Sequence, residues 1–172
     1  MASTLTELLY HCIWSTKNRD PLIRPEIEAN VWRILAGTAK RNEMRILSVG
    51  GIANHVHVLV RIPKTMSVSE AMQRLKGGSS KAINNEELLG PKLRFAWQDG
   101  YGAFTASKSN VTSDWTAIGR HILNQREHHR KRTFEDEFLE FLERHEINYD
   151  PEYLWDRSVT SRRPHLPKSS GG

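Results

Sequence analysis

Two histidines two positions apart, His55 and His57, stand inside the aliphatic run Asn54-His55-Val56-His57-Val58-Leu59-Val60. On a β-strand, residues i and i+2 point to the same face. One face would carry His55, His57, Leu59 and Arg61, and the other Val56, Val58, Val60 and Ile62. The valine face suits a core, so the imidazoles are expected on the opposite side, as half of a metal site. A pair of histidines alone also fits two solvated side chains, so a further ligand is needed. His121, Gln125 and His128 lie at i, i+4 and i+7, which makes one polar stripe on a helix. Trp115, Ile118 and Ile122 form the apolar stripe beside it, placing the polar row at the edge of a packed surface.

These residues need elements to hold them. Leu8–Ser15 reads as a strand, and Thr16–Arg24, with Asn18, Asp20 and Pro21, as a loop. From Pro25, residues Ile27, Val31, Ile34 and Leu35 recur at helical spacing. Acidic residues come early and Lys40 and Arg41 late, as the helix dipole favours. Arg45–Val49 and His55–Ile62 read as strands of a hairpin turning at Gly50-Gly51, with Pro63 as the stop. Ser67 and Glu70 form a capping box for a second helix, in which Gly77-Gly78-Ser79-Ser80 is expected to be an interruption. Arg94–Trp97 and Gly102–Ser107 read as short strand pieces. A third helix is expected from Ser113 or Asp114 to about Lys131, and a fourth over Thr133–His145 with Phe134, Phe138, Phe141 and Leu142 as its apolar stripe. The order predicts an α+β fold: a ferredoxin-like βαββαβ antiparallel sheet, helices on one face, the other face open, plus C-terminal helices.

The 172 residues suit one domain, expected over 1–157, with a polar Pro-rich tail over 158–172 that reads as disordered or as an appended remnant. Hydrophobic residues make up 38% and charged residues 26%, which fits a soluble globular chain and excludes a membrane span. No basic-then-apolar leader stands at the N-terminus, so the expected compartment is the cytoplasm. Cys12, the one cysteine, alternates with aromatic residues and reads as a buried structural thiol. The net charge of +5 is a modest bias toward polyanions, strengthened by the cluster Arg126, His128, His129, Arg130, Lys131 and Arg132.

Four stretches, in order, resemble the single-tyrosine transposases of the HUH superfamily, the small transposases of insertion-sequence-200-like elements. His55-Val56-His57 matches the histidine–hydrophobic–histidine motif. Leu75-Lys76-Gly77-Gly78-Ser79-Ser80 is similar to the family's Leu-Lys-Gly-x-Ser-Ser. Trp97-Gln98-Asp99-Gly100-Tyr101-Gly102-Ala103-Phe104 resembles its Trp-Gln-x-Gly-Tyr-Gly-x-Phe. Ile122-Leu123-Asn124-Gln125-Arg126-Glu127-His128-His129 resembles the Tyr-Ile-x-Asn-Gln-x-x-His-His stretch except at its first position. The resemblance covers about Leu8 to Trp155. It implies cleavage and rejoining of single-stranded DNA beside a hairpin, through a covalent 5′-phosphoryl enzyme that leaves a free 3′-OH. It also implies Mg²⁺ or Mn²⁺ held by His55, His57 and Gln125. Such a metal would polarise the scissile phosphate. Family members commonly act as homodimers, in some of which the late helix serves the partner's histidines.

The chain departs from the family where the chemistry is carried. His121 stands four residues before Gln125, where the family has its nucleophilic tyrosine, and no tyrosine lies between Tyr101 and Tyr149. Several readings stay open. The chain has lost strand transfer and kept hairpin binding; or His121 is itself the nucleophile; or another residue substitutes, Tyr101 being nearest in sequence; or His121 joins the metal shell. Lys76, Lys81, Arg120, Arg126, Arg130 and Arg132 are candidate phosphate contacts, each of which also fits an ordinary solvated charge. Trp97, Tyr101 and Phe104 are candidate stacking surfaces for unpaired bases, with core packing the competing role for Trp97 and Phe104. A plain RNA-binding sheet of the same fold would leave the paired histidines and Gln125 unexplained.

Overall fold

The computed structural model describes residues 3–106, 122, 124–129 and 132–154. Strands β1 (Leu9–Ser15), β2 (Arg45–Ile52), β3 (His55–Arg61) and β4 (Gly102–Ala106) form one antiparallel sheet in the order β2-β3-β1-β4. Helices α1 (Pro25–Arg41) and α2 (Val68–Asn85) complete the βαββαβ order. They are followed by the short helix α3 (Gln125–His128), then α4 (Phe134–Arg144) and the turn of helix α5 (Pro151–Leu154). The α+β, ferredoxin-like expectation holds.

Strand β3 alternates as its sequence requires. Val56, Val58 and Val60 join Cys12, Trp14, Leu35, Met72 and Leu75 in the core beneath α1 and α2. Proline opens α1, where its missing N–H costs nothing, and Ser67 Oγ accepts from the Glu70 N–H to start α2. Three expectations change. First, Gly77-Gly78 does not break α2, which is continuous from Val68 to Asn85. A Cβ on Gly78 would lie 2.7 Å from Thr38 Cγ2, so the glycine lets α2 lie close against α1. Second, Gly50-Gly51 is not the hairpin turn. Both glycines lie within β2, and the chain turns at Ala53-Asn54. A Cβ on Gly50 would meet the Ile122 carbonyl oxygen at 2.0 Å, so this glycine marks the close approach of another backbone.

Third, the second face of the sheet is not open. Helix α4 lays Phe134, Phe138, Phe141 and Leu142 over Ile13 and Phe104, with Leu154 packed alongside. Its start is the capping box Thr133/Asp136, and Arg19 pairs with Glu135 at 2.8 Å, tying the helix to the loop after β1. An antiparallel sheet can leave one face to water, but a row of aromatic residues at helical spacing needs a surface to cover. Of the expected third helix, the short helix α3 over Gln125–His128 is described. Most of the expected third helix, including Arg120 and His121, lies outside the described residues, as do Arg130 and the stretch after Leu154.

Two of the motif stretches hold each other. Trp97 Nε1 donates to Ser79 Oγ at 2.9 Å, and Asn84 makes a reciprocal pair with the Phe95 backbone at 2.8 and 2.7 Å. Lys76 Nζ donates to the carbonyls of Gln98 and Gly100 at 2.7 and 2.6 Å. Gly100, at φ 79°, supplies the left-handed turn between them. The second helix thus fixes the loop that leads into β4.

Candidate metal centre

His55 and His57 lie on one face of β3, as their spacing requires, but beneath α4 they are fully buried, each at 0% exposure. The close approach of Ile122 to β2 brings Gln125 and His129 in beside them. Gln125 is buried, and its Oε1 lies 2.9 Å from His129 Nε2. From α4, Glu137 reaches in from the middle of the phenylalanine stripe. Its Oε2 is 2.9 Å from His129 Nε2 and 3.5 Å from His57 Nε2. Ligand atoms of His55, His57, His129 and Glu137 all lie within 4.8 Å of one another. Rings of Phe134 and His55 meet at 4.6 Å, and those of Phe141 and His11 at 5.2 Å, closing the cluster in hydrocarbon.

Each imidazole is held from behind. His55 Nδ1 lies 2.8 Å from Asn54 Oδ1, His57 Nδ1 3.1 Å from His11 Nε2, and His129 Nδ1 3.0 Å from the Arg132 carbonyl. A carbonyl only accepts, so the Nδ1 of His129 carries its hydrogen, and the same holds for His55 toward Asn54. With Nδ1 protonated, the lone pair of a neutral ring sits on Nε2, and the Nε2 atoms face the shared space. Outer partners that fix tautomer and ring direction in this way are the usual support of metal-binding histidines. His55 Nε2 is sealed from solvent without a well-formed hydrogen bond, and the Gln125 side chain is the polar group beside it. A buried polar atom of that kind carries a desolvation cost that a cation would offset. The donor set therefore fits a metal ion.

The electrostatics agree. Burial holds the His55 imidazole well below its usual range, and the neighbouring His57 and His129 lower it further, against the opposing pull of Glu137 and Gln125. His55 is thus a neutral base, the form a metal requires. Burial also works against protonated His129, but the hydrogen bond and charge of Glu137, with help from the Arg132 carbonyl and Glu135, raise it above the ordinary histidine value. In the metal-free state, the Glu137–His129 pair is held together by that proton.

His55, His57 and Gln125, expected together from sequence, do come together, and within a single chain. His129 and Glu137 were not expected. Glu137 had a legible signal, an acidic residue inside the Phe134/Phe138/Phe141 stripe. His129 had the i+4 spacing from Gln125. Among the other candidates, Lys76 is half-buried and gives two donors to the loop before β4, while Lys81 is exposed on α2. Tyr101 is 40% exposed with Lys76 Nζ 5.9 Å from its ring centre, whereas Trp97 and Phe104 are core residues. His121, Arg120, Arg130 and the side chain of Arg126 lie outside the described residues. Cys12 is buried, and burial pushes its thiol up to about 12, which rules it out as a nucleophile at neutral pH. Among the described residues, no helix is long and apolar enough to cross a membrane.

A four-stranded sheet of this order with a buried histidine pair on one face defines a class, and comparison with known proteins gives its family. The family model "Transposase IS200 like" matches residues 4–125, and the chain belongs to that family of the HUH superfamily. The transposase for insertion sequence element IS200 of Salmonella typhimurium is 32% identical over 115 residues, 64% of this chain and 75% of that protein. The ISDra2 transposase TnpA of Deinococcus radiodurans is 26% identical over 109 residues, 60% of this chain and 76% of its own. Two solved structures share the fold. One, from Deinococcus radiodurans R1 and described as a transposase, gives a TM-score of 0.55 at 21% identity over 72% of this chain and 97% of that one. The other, a REP-associated tyrosine transposase bound to a REP hairpin, gives 0.52 at 12% identity over 98% and 100%.

Proposed function

We propose that this chain is a metal-dependent transposase that binds hairpin single-stranded DNA, nicks it and rejoins it through a covalent 5′-phosphoryl enzyme, acting in the cytoplasm as a homodimer. The observation that carries the reading is the convergence of His55, His57 and Gln125 in one buried cluster of a transposase-family fold. A hairpin as substrate is supported by the related fold bound to a REP hairpin. Mg²⁺ or Mn²⁺ at His55, His57 and Gln125 would polarise the scissile phosphate and neutralise charge that develops on it. His121 occupies the nucleophile's place in sequence. An imidazole nitrogen of His121 attacks phosphorus, the bond from phosphorus to the 3′-oxygen breaks, and that oxygen leaves as a hydroxyl after taking a proton. The 5′-phosphoryl group stays on His121, and attack by a 3′-OH reverses the step. Arg120, Arg126, Arg130, Lys81 and the remaining donor of Lys76 hold the DNA backbone, and exposed Tyr101 offers a face to an unpaired base.

A second reading, a hairpin-binding protein that no longer cuts, is favoured by histidine at position 121 and the lack of any tyrosine over residues 102–148. One assay separates the two. Native protein and His121→Tyr are incubated with Mn²⁺ and labelled single-stranded hairpins from the DNA flanking the chain's own gene, then run under denaturing conditions. The enzyme reading expects an acid-labile labelled adduct on the native chain. An adduct on His121→Tyr alone would establish the binding reading. Hairpin affinity in both cases should fall steeply with salt.

A further inference from the structure

We propose that His129 and Glu137 are metal ligands, so that His55, His57, His129 and Glu137 form a closed three-imidazole, one-carboxylate site for a transition metal of the Zn²⁺ class. This rests on the reading above for a metal at the histidine pair, and it replaces the Mg²⁺ or Mn²⁺ and the Gln125 ligand given there. It changes the ligand set, the metal and what the metal does. Four donors lie within 4.8 Å of one another, from β3, from the residue after α3 and from α4. In a tetrahedral centre with bonds of roughly 2.0–2.1 Å, neighbouring donors stand about 3.3 Å apart. Two of the separations, 2.9 Å for His129–Glu137 and 3.5 Å for His57–Glu137, lie on either side of that spacing, and an ion would draw in the wider pairs, which reach up to 4.8 Å. All three rings have Nδ1 engaged from behind, by Asn54, His11 and the Arg132 carbonyl, leaving Nε2 for the ion. Three imidazoles and one carboxylate suit Zn²⁺ or Co²⁺ and are a poor match for Mg²⁺, which favours oxygen.

In this site Gln125 is an outer partner, its Oε1 2.9 Å from His129 Nε2 and its side chain also hydrogen-bonded to His55. The ion would join α4 to β3, stapling the helix across the face that carries the histidines. With four protein ligands no position is open, so a DNA phosphate reaches the metal only by replacing one of them, and Glu137, on the covering helix, is the one placed to leave.

The test uses the full chain stripped with chelator and titrated with ZnCl₂, CoCl₂ or MgCl₂. It reads metal stoichiometry, thermal midpoint, the visible spectrum of the Co²⁺ form and the imidazole count by X-ray absorption of the Zn²⁺ form. The expected result is one ion per chain, intense four-coordinate Co²⁺ bands, three imidazoles on zinc, and no stabilisation by Mg²⁺ at concentrations where Zn²⁺ saturates. Glu137→Gln and His129→Gln should each weaken Zn²⁺ by more than about 100-fold, and Gln125→Ala by about 10–100-fold, as loss of an outer partner does. Two imidazoles on zinc, or full affinity in Glu137→Gln and His129→Gln with loss in Gln125→Ala, would overturn the proposal and leave the open His55/His57/Gln125 site standing. No ion bound by the native chain would overturn both. The imidazole count needs no variant, so the result stands even if a substitution prevents folding, which the metal-free thermal midpoints would report.

Discussion

The two faces of one sheet are built on different principles. Beneath α1 and α2, Val56, Val58 and Val60 meet Cys12, Trp14, Leu35, Met72 and Leu75, and that contact is hydrocarbon on hydrocarbon. Beneath α4, the same strand presents His55 and His57, with His11 beside them on β1, to a helix face of Phe134, Phe138, Phe141 and Leu142 that also carries buried Glu137. Both faces are dry. Burial on the first is its own source of stability, at roughly 25 cal/mol per Å² of apolar surface. Burial on the second places four ionisable groups out of water, which costs free energy unless they are paired or hold an ion. The first face makes the fold, while the second is conditional on what it binds.

The sharpest way to break this comparison is to remove a ligand. His57→Ala should abolish the metal-linked rise in stability, a term of about 4 kcal/mol when free metal exceeds its dissociation constant a thousandfold. Thermal unfolding with and without Zn²⁺ or Mn²⁺ measures it, and nicking, where the native chain nicks, should vanish with it. Leu75→Ala, under the valine face at 0% exposure, should cost roughly 2–5 kcal/mol in urea unfolding. Its metal affinity should stay near native, and a large loss there would show that the two faces are coupled. Gly50→Ala should cost about 1–3 kcal/mol, because its Cβ would collide with the Ile122 carbonyl. Unlike Leu75→Ala, it should weaken metal too, since Gln125 and His129 follow from Ile122.

A smaller effect separates the faces by pH. Folded His55 resists protonation, while an unfolded histidine accepts a proton near its ordinary value of 6.5. The metal-free protein should therefore lose stability as pH falls from 7 toward 5, because the unfolded chain then binds the extra proton. His129 acts oppositely. Its raised value adds stability that is fully present below 6.5 and fades as pH rises through the folded value. His129→Gln should steepen the acid loss, which thermal midpoints in chelator across that range would show. Smallest of all, Cys12 should resist alkylation at pH 8 in the native state and react on unfolding, since its thiol is buried and held near 12.

The elements were legible because their signals are local. Proline and acidic residues open α1, Ser67 and Glu70 cap α2, Thr133 and Asp136 cap α4, and alternation assigns the faces of β3. The glycines misled for a physical reason. The sequence cannot distinguish a glycine that turns the chain from one that admits a neighbour, and Gly50 and Gly78 do the latter, toward Ile122 and Thr38. The face expected to be open was misjudged because α4 covers it from far along the chain.

By itself, then, the sequence determined the βαββαβ order, the valine core, the histidine pair and the family motifs, since each is written in periodicity or short spacing. Only the tertiary structure decided that the histidines are sealed, that Asn54, His11 and Arg132 orient them, and that His129 and Glu137 complete the cluster. Metal coordination depends on donor atoms converging to within a few ångströms, and convergence between a central strand and a C-terminal helix is a property of packing that no local pattern encodes.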